Sequence, residues 1–165
     1  MAKEIERKFL VNVEKFVNET VVKSIEILQG YIPRDNNVVV RIRLNKWDGN
    51  EKALLTIKGP NQGISRDEFE YEIPFKDGLE MIDKFCVTGN EEIVISKIRH
   101  YVEYEGNTWE VDFFRGDNKG LVIAEIELDS ENATFKKPIW VMSEVTGQPK
   151  YYNNNLMNNP YNTWK

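Results

Sequence analysis

Charged side chains recur two residues apart along this chain: Glu4, Glu6 and Lys8; Arg41 and Arg43; Glu70 and Glu72; Lys97 and Arg99; Glu125 and Glu127. Side chains two apart on a strand share a face, so each group stands together, and the same alternation adds Lys58 and Asp112 to the charged side. A mixture of carboxylates with Lys and Arg suits a polyanion accompanied by hard cations. The rigid fork of Arg matches phosphate oxygens, while carboxylates hold Mg²⁺ or Mn²⁺, which prefer oxygen ligands and bridge to phosphate. One cysteine, Cys86, and one histidine, His100, cannot assemble a zinc site of ordinary type.

The elements that must carry these groups read as strands. Period-two alternation runs through Ile5–Leu10, Glu26–Ile32, Val38–Leu44, Lys52–Lys58, Glu68–Pro74, Ile93–Glu103, Thr108–Phe114 and Leu121–Leu128. Asp48-Gly49-Asn50, Gly59 to Gly63, Glu105-Gly106-Asn107 and Gly116 to Gly120 punctuate them, so neighbouring strands are expected to form antiparallel hairpins. One amphipathic helix is expected over Gly78–Thr88, with Asp77 as N-cap, Glu80 three residues later, and Leu79, Ile82, Phe85 and Cys86 on one side. Weaker helical signals cover Val13–Glu19, a turn near Ser130–Phe135, and Ser143–Val145. The Asn-rich tail from Tyr151 is read as docked by its aromatics, without a long helix.

Two orientations fit this pattern. The apolar faces could form the core of a sandwich or barrel with the charges solvated, or the sheet could close with its charges inside and helices over its apolar exterior. Three details favour the second: an amphipathic helix that needs an apolar sheet surface, charges that come as like-signed doublets, and the use of Arg at positions 41, 43 and 99. Unpaired buried ions cost several kcal/mol each, so such an interior must be wet, mutually paired or filled by a charged ligand.

The chain has 165 residues, and with 22 basic and 27 acidic residues its net charge is −5, which argues against general coating of nucleic acid. At this length a core forms without disulfides, and no repeat or linker divides the chain, so one domain over residues 1–165 is expected. There is no apolar run long enough for a membrane span and no apolar signal core after Met1, so the expected compartment is the cytoplasm.

In order along the chain, Glu4-Ile5-Glu6-Arg7-Lys8, Arg41-Ile42-Arg43, Thr56-Ile57-Lys58, Glu70-Tyr71-Glu72, Lys97-Ile98-Arg99, Glu110-Val111-Asp112 and Glu125-Ile126-Glu127 resemble the CYTH superfamily, the triphosphate tunnel metalloenzymes, and within it the short bacterial tripolyphosphatase-like branch. The resemblance covers about residues 3–128. It implies an α+β, mainly β fold, in which a closed antiparallel barrel of about eight strands forms a charged tunnel with helices packed outside. It further implies that Glu4, Glu6, Glu125 and Glu127 are the primary metal ligands, with Glu70, Glu72 and Asp112 serving a second ion or holding waters and basic side chains. Two Mg²⁺ or Mn²⁺ ions are the implied cofactors, and Lys8, Arg41, Arg43, Lys58 and Arg99 the implied phosphate grips. Lys97, flanked by Arg99 in a basic wall, is read as the group that orients or deprotonates water, or as one more phosphate clamp.

The expected activity is metal-dependent hydrolysis of a small-molecule triphosphate, inorganic tripolyphosphate in the first place. A class IV-type adenylyl cyclase or a thiamine triphosphatase is the alternative on the same fold, and a non-catalytic polyphosphate or nucleotide binder the alternative of another class. No nucleic-acid or membrane partner is expected, and a homodimer is compatible with the reading. His100 alternates with Ile98 and Val102 and is read as packed, Cys86 as a buried thiol, and the Gly59–Gly63 segment as a hairpin loop, since it lacks the GxxxxGK[ST] arrangement.

Overall fold

In a computed structural model, residues 3–34 and 37–164 are described. Eight long strands carry the alternation seen in the sequence: β1 (Lys3–Val11), β2 (Lys23–Tyr31), β3 (Val39–Trp47), β4 (Asn50–Lys58), β5 (Ser65–Ile73), then, after the two-residue strands β6 (Val87–Thr88) and β7 (Glu91–Glu92), β8 (Val94–Tyr104), β9 (Asn107–Phe114) and β10 (Val122–Glu127). All pair antiparallel, in the order β10-β9-β8-β2-β3-β4-β5-β1. The pairing of β1 with β10, from Glu6↔Glu127 to Leu10↔Ile123, closes the sheet into a barrel. Closure turns one face of every strand inward.

Tight turns set the registers. Asp48 and Gly49 both have positive φ (47° and 77°), as do Glu105 and Gly106 (49° and 81°), the backbone sense that two-residue hairpins need to match strand twist. These turns fix Arg43↔Leu54 and Arg99↔Asp112 as cross-strand neighbours.

The charges point inward, and the apolar exterior is covered in two places. On β1, β9 and β10 a cluster of Phe9, Trp109, Val111, Ala124 and Ile126 packs under Phe16, Phe135 and Trp140. Phe16 belongs to the short helix α1 (Val13–Phe16), whose N-cap Asn12 accepts a hydrogen bond from the Lys15 amide; this helix is shorter than the Val13–Glu19 expected. On β3 and β4, Ile42, Leu44 and Ala53 pack under Ile82 and Cys86 at and just beyond the end of helix α2 (Phe75–Phe85).

Helix α2 corrects the sequence reading at both ends. It starts at Phe75 behind Pro74, with no side-chain cap, and Asp77 lies in its first turn. Gly78 is a contact point in place of a boundary. A Cβ there would lie 2.8 Å from the Ala53 Cβ and 2.9 Å from Leu44 Cδ2, so the helix axis can approach the sheet only because this residue has no side chain. Gly78, Ile82 and Cys86, four residues apart, make the contact line, while Leu79 and Phe85 are exposed. The helix ends at Phe85, and Val87–Thr88 goes into the small β6–β7 hairpin.

Ser143–Val145 is not helical. Strand β11 (Val141–Glu144) pairs with β1 at Phe9 and Val11, because β5 covers only Lys3–Ile5 of that edge and the exposed backbone groups beyond need partners. Ser130–Ala133 makes a single hydrogen-bonded turn, as expected. The tail forms one short helix, α3 (Asn153–Leu156), between 3₁₀ turns, with Tyr151 and Leu156 buried.

Candidate active site

The inward face has two zones. At one end it is apolar: Leu10, Tyr31, Val39, Ile95, Phe114 and Ile123 cluster with Val145, Tyr151 and Leu156 of the tail, which closes that end. The rest is polar and surrounds a cavity of about 290 Å³. Glu4, Glu6, Lys8, Arg41, Arg43, Lys58, Glu70, Lys97, Arg99, Glu125 and Glu127 all line it.

Two of the expected site residues do not. Glu72 stands at the rim, exposed and paired with Lys52 at 3.4 Å: β5 is held there by β4 alone, its pairing with β1 having ended at Asp67. Asp112 is wholly buried behind the lining. Its oxygens accept from Lys97 Nζ at 2.7 Å and, in a fork, from Arg99 Nε and Nη2 at 2.7 and 2.9 Å. It holds basic side chains in place.

The acidic wall is formed by β1, β10, β5 and β9. Lys58 Nζ donates to both oxygens of Glu4 at 2.8 and 3.0 Å and lies 3.7 Å from Glu68. Lys8 Nζ stands 3.6 Å from Glu6 and 3.4 Å from Glu125. Burial and the neighbouring Glu125 raise Glu6 to about 7, against the pull of Lys8. Glu4 is raised by burial and by its bond with Glu68, and Glu127 by burial and by Glu4, Glu110 and Glu6. For Glu125 burial works in the same sense, but Lys8, Arg99 and Lys97 outweigh it and hold the group well below the carboxylate range.

The basic wall is formed by β3 and β8. Arg41 Nη2 reaches Thr56 at 3.3 Å and Glu70 at 3.4 Å, while its Nε is buried with no hydrogen-bond partner among the described residues. Arg43 Nε donates to Gln29 Oε1 at 3.0 Å, and burial together with Arg41 and Arg99 lowers it to about 10. Burial lowers Lys97 to about 7; Asp112 opposes this, and Arg99 and Arg43 add to it. Arg99 also pairs with Glu110.

The cavity therefore presents Arg43 and Lys97, held low by burial and neighbouring cations, on one side, and Glu4, Glu6 and Glu127, held high by burial and neighbouring carboxylates, on the other. Among the described residues no three Asp, Glu, His or Cys are gathered as a ready metal cluster, since ammonium groups stand between the carboxylates. The donor set nevertheless fits a hard divalent ion: every candidate ligand is a carboxylate oxygen, and Glu4, Glu6 and Glu127 are held above their ordinary range by burial and by the carboxylates beside them.

Arg66, Glu68, Glu110, Tyr31, Tyr101 and Asn153 line the cavity without having been singled out from the sequence. Glu68 and Glu110 continue the period-two series of Glu70 and Asp112, so the same alternation carries their signal. Asn153 has no such signal, since it arrives from the tail. His100 packs against Phe16 and Phe113 on the outer face and bonds Ser24 Oγ at 2.7 Å, and Cys86 is buried.

A CYTH domain family model matches residues 2–161. The inorganic triphosphatase of Acetivibrio thermocellus is 48% identical over 165 residues, covering 100% of this chain and 99% of that protein. That of Nitrosomonas europaea is 32% identical over 158 residues, covering 93% and 95%. Among solved structures, the inorganic triphosphatase NE1496 superposes with a TM-score of 0.62 at 26% identity, covering 95% of each chain. The protein PH1819 of Pyrococcus horikoshii superposes with a TM-score of 0.61 at 25% identity, covering 78% and 80%. With its barrel closed around opposed acidic and basic walls and its sequence matched almost end to end, this chain belongs to the CYTH domain family.

Proposed function

We infer that this chain hydrolyses inorganic triphosphate, tripolyphosphate, to pyrophosphate and phosphate with the help of a divalent metal. The observation that carries the reading is the union in one barrel cavity of Arg43 and Lys97, held low by burial and like charge, with Glu4, Glu6 and Glu127, held high by burial and like charge, in a chain 48% identical to an inorganic triphosphatase. A binder of the anion alone would need the bases and few of the acids. No helix among the described residues is long and apolar enough to cross a membrane. We read residues 1–165 as one catalytic domain working in the cytoplasm, where Cys86 stays a free thiol.

Arg41, Arg43, Arg99, Lys8 and Lys58 grip the phosphate oxygens; the Nε of Arg41, buried and unpartnered among the described residues, is a donor free to serve one. Glu4, Glu6, Glu125 and Glu127 are the carboxylates assigned to two Mg²⁺ or Mn²⁺ ions, with Glu68 and Glu70 within the same cavity. When bound, the metal withdraws charge from the phosphate oxygens and orients the chain of phosphates. A water oxygen attacks the terminal phosphorus in line, the bond to the bridging oxygen breaks, and pyrophosphate leaves. Lys97, with a free-base fraction near neutral pH, takes up the proton of that water or orients it. Asp112 keeps Lys97 and Arg99 aimed into the cavity.

The test is phosphate release from tripolyphosphate, ATP and thiamine triphosphate side by side, with Mg²⁺, Mn²⁺ or EDTA, and detection of cyclic AMP. Preference for tripolyphosphate that disappears in EDTA is expected. Cyclic AMP from ATP would move the reading to a cyclase, and ligand-induced stabilisation without turnover would move it to a binding protein.

A further inference from the structure

The tail does more than close the barrel. Asn153, the first residue of α3, sends its side chain through the closed end to the basic wall. Its Oδ1 accepts from Lys97 Nζ at 2.8 Å and from Gln29 Nε2 at 3.1 Å. Two donors facing one atom fix the orientation of the amide, because the nitrogen end could serve neither. Gln29 is fully buried; its Oε1 accepts from Arg43, and its Nε2 also donates to Tyr31 Oη at 2.6 Å. A continuous hydrogen-bonded path thus runs from Arg43 through Gln29 and Asn153 to Lys97, and on through Asp112 to Arg99. The ammonium of Lys97 has three donors. Asp112 and Asn153 take two, and the third is left for the cavity.

The placement of Asn153 is itself well held. Leu156 and Tyr151 are buried, Asn155 Nδ2 donates to the Pro149 carbonyl at 2.7 Å, and Tyr152 Oη accepts from Asn61 at 3.2 Å.

We propose that Asn153 is a positioning residue for Lys97: with Gln29 it locks the direction of the Lys97 ammonium and ties that direction to Arg43, so the catalytic arrangement is complete only when the tail is docked. The proposal rests on the reading that Lys97 acts on the attacking water. Freed of Asn153, Lys97 keeps Asp112 but can swing about that single bond, and small misplacements of this kind cost on the order of 10-fold in rate.

The experiment is a double-mutant cycle in the full chain with Asn153→Leu, Asn153→Asp, Lys97→Met and Lys97→Met/Asn153→Leu, read as kcat and KM for tripolyphosphate with Mg²⁺. Asn153→Leu should lower kcat about 10-fold with KM within about 2-fold. Asn153→Asp, which keeps an acceptor oxygen, should recover most of the loss, and Asn153→Leu should have little further effect once Lys97 is Met. Tail docking is followed separately by the fluorescence of Trp164, which packs edge-to-face against Tyr151 and Tyr161. Additive effects, an unchanged kcat in Asn153→Leu, or equal losses in the Leu and Asp variants would overturn the positioning role. If Lys97→Met raises KM alone, the water-handling reading fails; Asn153 and Lys97 then still couple, in KM, if the proposal holds, and an additive KM overturns it.

Discussion

Replacing Glu6 by Gln should stabilise the metal-free protein while destroying its activity. In the folded chain Glu6 is raised from 4.5 to about 7, by burial first and then by Glu125, against the attraction of Lys8. A folded-state value above the unfolded one means that the native state binds more protons between the two. Glu6 therefore costs nothing below about pH 4.5, its cost grows as pH rises, and it is complete above about pH 7. At 1.36 kcal/mol per pH unit the full cost is of order 3 kcal/mol, and about 2 kcal/mol is a fair expectation because the site is partly wet. The assay is urea or thermal unfolding of wild type and Glu6→Gln in EDTA at pH 5 and pH 8. The variant should lie within about 2 °C of wild type at pH 5 and melt about 4–8 °C higher at pH 8. Saturating Mn²⁺ should erase or reverse the difference, since the wild-type carboxylate then gains a ligand by mass action. A Glu6→Gln protein no more stable than wild type at pH 8, or equally stabilised at both pH values, would refute the account of an acidic wall short of positive charge.

Lys97→Ala should lower kcat far more than it raises KM in steady-state tripolyphosphate hydrolysis; a rise in KM alone would make Lys97 a phosphate clamp. Asp112→Asn leaves Lys97 and Arg99 buried without their shared carboxylate and should cost about 3–5 kcal/mol in urea unfolding; a loss under 1 kcal/mol would show that the pair relaxes to solvent. Gly78→Ala adds a Cβ under 3 Å from Ala53 and Leu44, and the overpacking should exceed the roughly 1 kcal/mol gained in helix propensity, for a net loss of about 1–2 kcal/mol by denaturant titration.

Much of this site is legible along the chain because a strand writes its inner face at every second residue. Glu4, Glu6 and Lys8, or Arg41 and Arg43, fall on the same side of their strands whatever the neighbours are, and all of them line the cavity. Glu68 and Glu110 obey the same rule. The helix is harder to read. Gly78 looks like a boundary by propensity, yet close packing on Ala53 makes it the centre of a contact, and tertiary contact outweighs about 1 kcal/mol of propensity. Ser143–Val145 likewise has a weak local preference that yields to the unpaired edge of β1.

By itself, then, the sequence determined the strands, their turns, the identity of the charged face and the family resemblance, because each depends on residues near one another in the chain. Only the tertiary structure decided that Asp112 lies behind the wall, that Glu72 falls at the rim, and that Asn153 reaches Lys97 from 56 positions away. Those outcomes depend on where the barrel closes, how far each strand extends past the cavity, and where the tail docks. They are set by packing between distant segments, which no local periodicity encodes.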